Sequence, residues 1–484
     1  MVLEKKLSSD IVVSTLINLS QKVRGLVFIP VITKSLGTAS YGAFTQLLVI
    51  STLFATFSRL GFERALIRYA QERNTADRGS LYISLTFAAL GLSSLFATIV
   101  FALAAPFSEL FLGSDRYTEL FRIGSLLIPI YASQVMAQNW YRVDMNVKLY
   151  SVLEGVKTYI NVFTVIFVVF VAGWGLRGLI IAIVAVEALF AVVIQMTVIR
   201  ATGIHQPTIS GFNTYLRYSI PISVTDLLGM FQDRIDRLLI GFFLGANFVG
   251  IYSVAYSVAK LLRMYILPLR LTFFPEFSRL WMEGNQADCY RFLSNGSRYL
   301  IGLAIPSIVG LYLIGNQLLE LLSTGKIAGQ AVLLLPIIAL GILFIGLETL
   351  YRQLFYAAEE TKLVSIIRII SVAANILFNI VLIPIYGIIG AALATLIANL
   401  FAFVMIYSLS RRRYQINFEK VFTIKSSLAA MIMYSIAILS GYQNIFLLVI
   451  ISVFVYALVL ILSRGIRIDE ILFLIHSVKS TFTR

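Results

Sequence analysis

Residues 444–463 read NIFLLVIISVFVYALVLILS and carry no charged side chain. An α-helix rises 1.5 Å per residue and needs about 20 apolar residues to cross a hydrocarbon core about 30 Å thick. Similar runs recur along the chain, which is 59% hydrophobic and only 13% charged. Its mean hydropathy is +0.89. This pattern predicts an all-α polytopic membrane protein rather than soluble domains.

Fourteen spans are predicted from these runs. The first follows MVLEKK without a small-residue cleavage site, so we expect it to be retained as a helix. Because the number is even, both termini are expected on the same side of the membrane. The spans lie at about 11–33, 40–62, 81–105, 119–140, 150–172, 176–200, 218–243, 248–272, 296–318, 329–354, 363–385, 387–409, 424–441 and 444–463.

The net charge of +15 is distributed unevenly between the loops. A strongly basic soluble domain would suggest nucleic acid as a partner. Here, however, Lys and Arg cluster in alternate loops, as in the run Arg411-Arg412-Arg413, while the intervening loops are short and poor in cations. Cytoplasmic loops of membrane proteins carry such an excess. We therefore predict cytoplasmic termini and no nucleic acid partner.

Few side chains could support metal or redox chemistry. The chain has one cysteine, Cys289, and two histidines that lie far apart, His205 and His476. It also lacks a G-x-x-x-x-G-K-[ST] phosphate-binding loop. We predict no metal and no cofactor. Energy would come from a Na⁺ or H⁺ gradient, or from consumption of the product downstream.

Two glycine patterns indicate an internal repeat. Leu36-Gly37 with Gly42 returns 208 residues later as Leu244-Gly245 with Gly250, and Gly175 with Gly178 returns as Gly387 with Gly390. Six spans separate the copies, so the two halves have the same orientation and are expected to enclose a cavity with alternating access. The predicted divisions are an N-lobe at 1–200, a C-lobe at 218–410, two additional helices at 424–463 and a cytoplasmic tail at 464–484.

Several charged residues lie inside predicted spans. A charge at the bilayer centre costs at least about 2.5–3.5 kcal/mol, so it normally faces a cavity or a partner. The acids of span seven could neutralise the cations of span one. Alternatively, these cations could line a path for an anionic cargo such as phosphate. The candidate cargo-binding cations outside span seven are Lys22, Arg24, Arg59, Lys260, Arg263 and Arg270.

Span seven carries both acids and bases: Asp233, Arg234, Asp236 and Arg237. Residues three or four positions apart share a helix face, so this cluster could be a clamp that neutralises itself. Alternatively it could be an anion or proton site, with Asp233 and Asp236 as ion-coupling residues.

Two other features complete the candidate set. Gly25 and Pro30 could form a hinge in span one, since Pro removes a backbone donor. Glu154 with Lys157, and Glu348 with Arg352, are expected to form structural ion pairs, the first of them interfacial.

The chain resembles the Wzx-type O-antigen and polysaccharide flippases of the MOP superfamily, which also holds lipid II flippases and multidrug extruders. The first half of the resemblance rests on KSLGTASYGAF at 34–44, Leu60-Gly61-Phe62 and ALIRY at 65–69. The second half rests on IDRLLIG at 235–241, Leu244-Gly245 and VGIY at 249–252.

The resemblance implies a two-lobed fold that moves undecaprenyl-diphosphate-linked oligosaccharide from the cytoplasmic to the outer leaflet. In similar proteins, cations of helices one, two, seven and eight meet the diphosphate, and the two additional helices can help form a groove for the lipid tail. The matching residues here are Lys22, Arg24, Arg59, Arg234, Arg237, Lys260, Arg263 and Arg270. The resemblance also implies a bacterial-type inner membrane as the location, with membrane lipids and a polysaccharide polymerase or export machinery as the expected partners.

Two alternatives stay open. A cation-coupled exporter of drugs could use the same fold, although a cavity for cationic drugs would favour acids over the bases found here. A membrane-embedded glycan polymerase or ligase would need a substantial external catalytic loop, whereas the predicted outer loops are short. The sequence therefore favours a transporter and not an enzyme.

Overall fold

The computed structural model describes residues 24–73, 75–208, 211–414, 416, 418–441 and 444–465. All regular secondary structure within these ranges is helical. Ten helical segments among them are long and apolar enough to cross a membrane. The chain is therefore an all-α, multi-pass membrane protein, as the sequence predicts.

The helices are numbered from the first described residue. The first ten are α1 (24–36), α2 (Thr38–Ser58), α3 (Phe62–Ala70), α4 (Thr75–Ala102), α5 (Ala104–Leu112), α6 (Thr118–Gly124), α7 (Leu127–Val143), α8 (Val147–Ile166), α9 (Gly175–Thr202) and α10 (Phe212–Leu244). The others are α11 (Ala246–Ala259), α12 (Ile266–Met282), α13 (Gln286–Leu322), α14 (Gly325–Ala331), α15 (Leu334–Ala357), α16 (Thr361–Tyr414), α17 (Lys420–Leu439) and α18 (Ile445–Leu462).

The ten segments correspond to eleven of the fourteen predicted spans, because α16 contains two of them. Gly387 interrupts α16 with φ 60° and ψ −139°, between the predicted spans at 363–385 and 387–409. The first predicted span lies largely outside the described residues, and the seventh is α10, which carries the Asp233–Arg237 cluster. The full count of fourteen stays a prediction.

The eighth predicted span, at about 248–272, is helical but changes geometry within its length. Helix α11 ends at Ala259, a 3₁₀ segment occupies Lys260–Tyr265, and α12 begins at Ile266. The backbone stays helical through this segment, since Ala259 and Ile266 both have right-handed helical dihedral angles and the Ile266 N–H donates to the Arg263 carbonyl.

The structure forms two compact units. Unit 1 extends to Val254 and includes Leu321–Thr324, and unit 2 comprises Ala255–Glu320 and Gly325 onward. The seventh predicted span thus belongs to unit 1 by its contacts. The lobe boundaries predicted from the repeat, at 1–200 and 218–410, stay a prediction.

Within unit 1, α2 and α11 cross at the glycines of the repeat. A Cβ added to Gly42 would overlap the Ala246 carbonyl oxygen and lie 2.8 Å from the amide nitrogen of Gly250. A Cβ added to Gly250 would overlap the Thr38 carbonyl oxygen. No side chain fits at either position, so the two motif glycines allow the backbones of α2 and α11 to touch.

Unit 2 has an apolar core with a strong aromatic component. Its buried members include Phe277, Leu354 and Phe355. The Tyr351 ring meets Phe403 edge to face at 5.8 Å between centroids, a favoured geometry for aromatic pairs. This core holds α12, α13, α15, α16 and α17 together.

Candidate functional site

The structure describes six of the eight cations expected to bind cargo. Lys22 lies outside the described residues, and so does the side chain of Arg270. Unit 1 holds Arg24, Arg59, Arg234 and Arg237, and unit 2 holds Lys260 and Arg263.

Two of the cations in unit 1 lie near one tyrosine. Arg24 of α1 and Arg234 of α10 are close enough to Tyr131 of α7 to act on it electrostatically, as is Glu187 of α9. Arg234 also donates a hydrogen bond from Nη1 to the Thr52 hydroxyl of α2, and the Arg24 guanidinium lies 5.9 Å from the Phe28 ring centroid. This region of unit 1 thus contains two guanidinium groups, which suit anion binding, and one carboxylate.

Arg59 is differently placed. It is only 7% exposed, and it donates from Nη1 to the Ala55 carbonyl (2.9 Å) and from Nη2 to the Thr56 hydroxyl (3.2 Å). Its Nε lies 3.4 Å from a Glu63 carboxylate oxygen. Gly61, at φ 75°, makes the turn between α2 and α3 that brings Glu63 back to Arg59. Arg59 therefore stabilises this turn, and little of its side chain is accessible to a ligand.

In the span-seven cluster, Asp236 is buried and held within the protein. The Tyr252 hydroxyl of α11 donates to its carboxylate at 2.7 Å. Asp233, Arg234 and Arg237 also have polar or electrostatic partners. Hydrogen bonding to the charged form of a buried carboxylate offsets part of its desolvation cost.

In unit 2 the 3₁₀ segment brings two predicted cations to Tyr256. Arg263 donates from Nη2 to the Tyr256 hydroxyl at 3.1 Å, and Lys260 Nζ lies 6.0 Å from the centre of the same ring. Residues i and i+3 eclipse in a 3₁₀ helix, so this segment of span eight directs Lys260 and Arg263 to the same side.

Polar groups of α7, α8 and α9 form a buried network that the sequence interpretation missed in part. The Lys157–Glu154 pair is confirmed at 2.7 Å, but Lys157 also lies 3.3 Å from Glu187 and is 7% exposed. Glu187 accepts further hydrogen bonds from Gln134 (2.9 Å) and Asn161 (3.1 Å). The pair is thus buried in protein rather than interfacial. The sequence offered one signal for this network, because Glu187 is a charged residue within the apolar segment 176–200.

Three further observations concern the scaffold. Arg64 of α3 pairs with Asp226 of α10 at 3.1 Å, a contact that sequence reasoning did not anticipate. The expected Glu348–Arg352 pair is confirmed at 3.1 Å. Helix α1 continues through Pro30, and a Cβ at Gly25 would meet nothing within 4 Å, so a hinge there stays a prediction.

A model of the family described as "Polysaccharide biosynthesis protein" matches residues 7–281, more than half of the chain. The chain is also 32% identical over 174 residues to "Probable flippase AglR" of Haloferax volcanii. That match covers 36% of this chain and 37% of the relative. It therefore spans little more than a third of the relative's length.

Two solved structures share the fold. "Lipid II flippase MurJ, inward closed conformation" superposes with a TM-score of 0.77 at 17% identity, covering 94% of this chain and 99% of that one. An inward-facing "multidrug resistance MATE family transporter of the MOP superfamily" gives a TM-score of 0.67 at 14% identity, covering 83% and 94%. Because the family model matches more than half of its length, the chain belongs to the polysaccharide biosynthesis protein family.

Proposed function

We propose that the protein is a flippase for undecaprenyl-diphosphate-linked oligosaccharide, an O-antigen or other polysaccharide repeat unit. It would carry this lipid from the cytoplasmic to the outer leaflet by alternating access. The observation that supports this most directly is that two guanidinium groups, those of Arg24 and Arg234, lie within electrostatic range of the same side chain, Tyr131, in unit 1. Guanidinium groups donate in a planar fork that matches phosphate oxygens.

The charge balance of the candidate site favours an anionic cargo head. Arg24, Arg234 and Glu187 all act on Tyr131, and a diphosphate would add negative charge near the two guanidinium groups whenever cargo is bound. Lys260 and Arg263 at Tyr256 form a second cationic pair, in unit 2, with the same preference for an anion. The prenyl tail can stay in lipid throughout.

A drug exporter on the same fold is the competing function. The chain shares its fold with a multidrug transporter, and Asp233 and Asp236 could couple transport to a Na⁺ or H⁺ gradient. A cationic drug, however, would be repelled by Arg24 and Arg234. The flippase proposal therefore fits the electrostatics better, with Asp236 as the coupling candidate because it is buried beside a hydroxyl donor.

The orientation of the protein follows from the same proposal. Cargo would enter from the cytoplasmic side of the membrane, the side on which the excess of Lys and Arg in the loops predicts both termini. A polysaccharide polymerase or export machinery on the opposite side would consume the product.

The proposal is tested by flipping in proteoliposomes that contain a fluorescent undecaprenyl-diphosphate oligosaccharide. We expect Arg24→Ala with Arg234→Ala to reduce the initial rate at least tenfold, because each charge-assisted hydrogen bond contributes about 1.5–3 kcal/mol. Arg177→Ala is the control, since Arg177 pairs with Glu119 at an exposed position in the same unit. Wild-type flipping by a folded double variant would refute the cargo site, and efflux of cationic dyes without lipid flipping would favour the drug exporter.

A further inference from the structure

A cavity of about 580 Å³ lies in unit 2, and none of the described cations assigned to cargo lines it. It is formed by the start of α13, the end of α16 and the start of α17. Its lining includes Arg291, Ser294, Tyr407, Arg411, Glu419 and Lys420. The Arg411-Arg412-Arg413 run ends α16 here, so this end of unit 2 is the one predicted to face the cytoplasm.

The lining has a surplus of positive charge. Arg291 lies 3.7 Å from Asp288, and Glu419 accepts a hydrogen bond from the Ser294 hydroxyl. Within the part of the chain that the structure describes, neither Arg411 nor Lys420 pairs with a carboxylate, and both are exposed. An anion in this cavity would therefore meet Arg411 and Lys420, neither of which forms a salt bridge within the described residues, beside the one carboxylate of the described lining, that of Glu419.

The surface next to the cavity is apolar and faces outward. Val421 lines the cavity and is 68% exposed, and the exposed residues Ile424, Leu428 and Met431 follow it at helical spacing along α17. From Val421 to Met431 the helix rises about 15 Å, half of a hydrocarbon core about 30 Å thick. The stripe thus has the length of one leaflet and begins where the basic cavity ends.

We propose that this cavity binds the phosphate head group of an anionic phospholipid of the cytoplasmic leaflet, with an acyl chain along the α17 stripe. Arg411 and Lys420 would contact the phosphate, and Tyr407 would lie at head-group depth, where tyrosine is enriched in membrane proteins. Basic pockets on the cytoplasmic side of membrane proteins bind anionic head groups by this chemistry. This inference does not depend on which cargo the protein transports.

The experiment measures lipid binding by the purified, delipidated full-length protein in detergent. Phosphatidylglycerol is added, with phosphatidylcholine and inorganic phosphate in parallel, and retained lipid is counted by native mass spectrometry alongside thermal unfolding. We expect phosphatidylglycerol alone to bind with a rise in the unfolding temperature. Arg411→Ala with Lys420→Ala should weaken this binding by one to two orders of magnitude, as expected for the loss of two basic contacts.

A matched control removes the same charge elsewhere in unit 2. Arg412 and Lys362 are exposed on α16 and do not line the cavity, so Arg412→Ala with Lys362→Ala should bind like wild type. Arg411→Lys with Lys420→Arg should restore binding if the alanine pair folds poorly. Equal binding by all variants, or equal binding of phosphatidylcholine, would overturn the site. If inorganic phosphate alone raised the unfolding temperature as much as phosphatidylglycerol does, the ligand would be free phosphate and not a lipid, and the proposal would be overturned.

Discussion

Gly42 and Gly250 occupy equivalent positions in the two copies of the sequence repeat, and in the structure their backbones touch. The position of a Cβ on Gly42 lies only 2.8 Å from the Gly250 amide nitrogen. Three residues further along each copy, the Thr45 and Ser253 hydroxyls lie 3.5 Å apart. Residues separated by 208 positions therefore meet, as expected near the axis of a repeat whose copies share one orientation.

This contact makes alanine at Gly42 a severe change. The new methyl would overlap the Ala246 carbonyl oxygen, and relief requires α2 and α11 to separate. Overpacking typically costs about 1–3 kcal/mol, so we expect Gly42→Ala to lower the unfolding temperature in detergent clearly. Gly91→Ala on α4 meets nothing within 4 Å and should be neutral or slightly stabilising. Equal behaviour of the two variants would contradict the close crossing.

The buried network of unit 1 gives a second prediction. Lys157→Met would leave Glu154 and Glu187 together without a cation in a buried site. Breaking a buried ion pair by removing one partner costs about 3–5 kcal/mol, so this variant should be poorly expressed and unstable. Thermal unfolding is measured for this variant and for Lys157→Arg. Because the arginine variant keeps the positive charge, the comparison separates the effect of losing the charge from the effect of changing the size of the side chain. Normal stability of the methionine variant would show that the carboxylates have another counter-charge.

A comparison of Arg59 with Arg24 distinguishes a structural cation from a cation proposed to bind cargo. Because its guanidinium is buried against Glu63, Ala55 and Thr56, Arg59→Ala should mainly reduce thermal stability. Arg24→Ala should instead reduce flipping and leave stability nearly unchanged. The measurement pairs unfolding temperature with initial flipping rate for each variant. A stable Arg59 variant with no flipping would place Arg59 among the cargo-binding residues after all.

The kink in α16 depends on a backbone conformation that favours glycine. Gly387 has φ 60° and ψ −139°, and a Cβ there would meet nothing within 4 Å. Gly387→Ala should therefore reduce the free energy of unfolding by backbone strain alone, which costs about 1–3 kcal/mol for such a conformation. Gly310→Ala on α13, also in open space, is the control in thermal unfolding. A neutral Gly387 variant would mean that the kink adapts without strain.

Orientation can be tested with the single cysteine of the chain removed. In a Cys289→Ser background, Asp115→Cys should react with a membrane-impermeant maleimide in intact cells, and Arg412→Cys should react only after permeabilisation. Both positions are exposed in the structure. The expected difference follows from the Lys and Arg excess on one side. Reversed labelling would place the termini outside the cytoplasm.

The sequence located the helices but not the change of geometry within one of them. Apolar runs located eleven spans that the structure shows as helical segments, since each must satisfy its own backbone hydrogen bonds in lipid. The eighth predicted span changes from α to 3₁₀ geometry at Lys260, and its continuous hydropathy gives no sign of this change.

By itself, the sequence determined the helical membrane class, because apolar length is a local property of the chain. Ion pairs four residues apart, such as Glu348 with Arg352, could equally be predicted from the sequence. Only the tertiary structure decided that Glu187 joins Lys157 and that Gly42 meets Gly250. These contacts join residues far apart in the chain, and whether a buried charge finds a partner depends on how the helices pack.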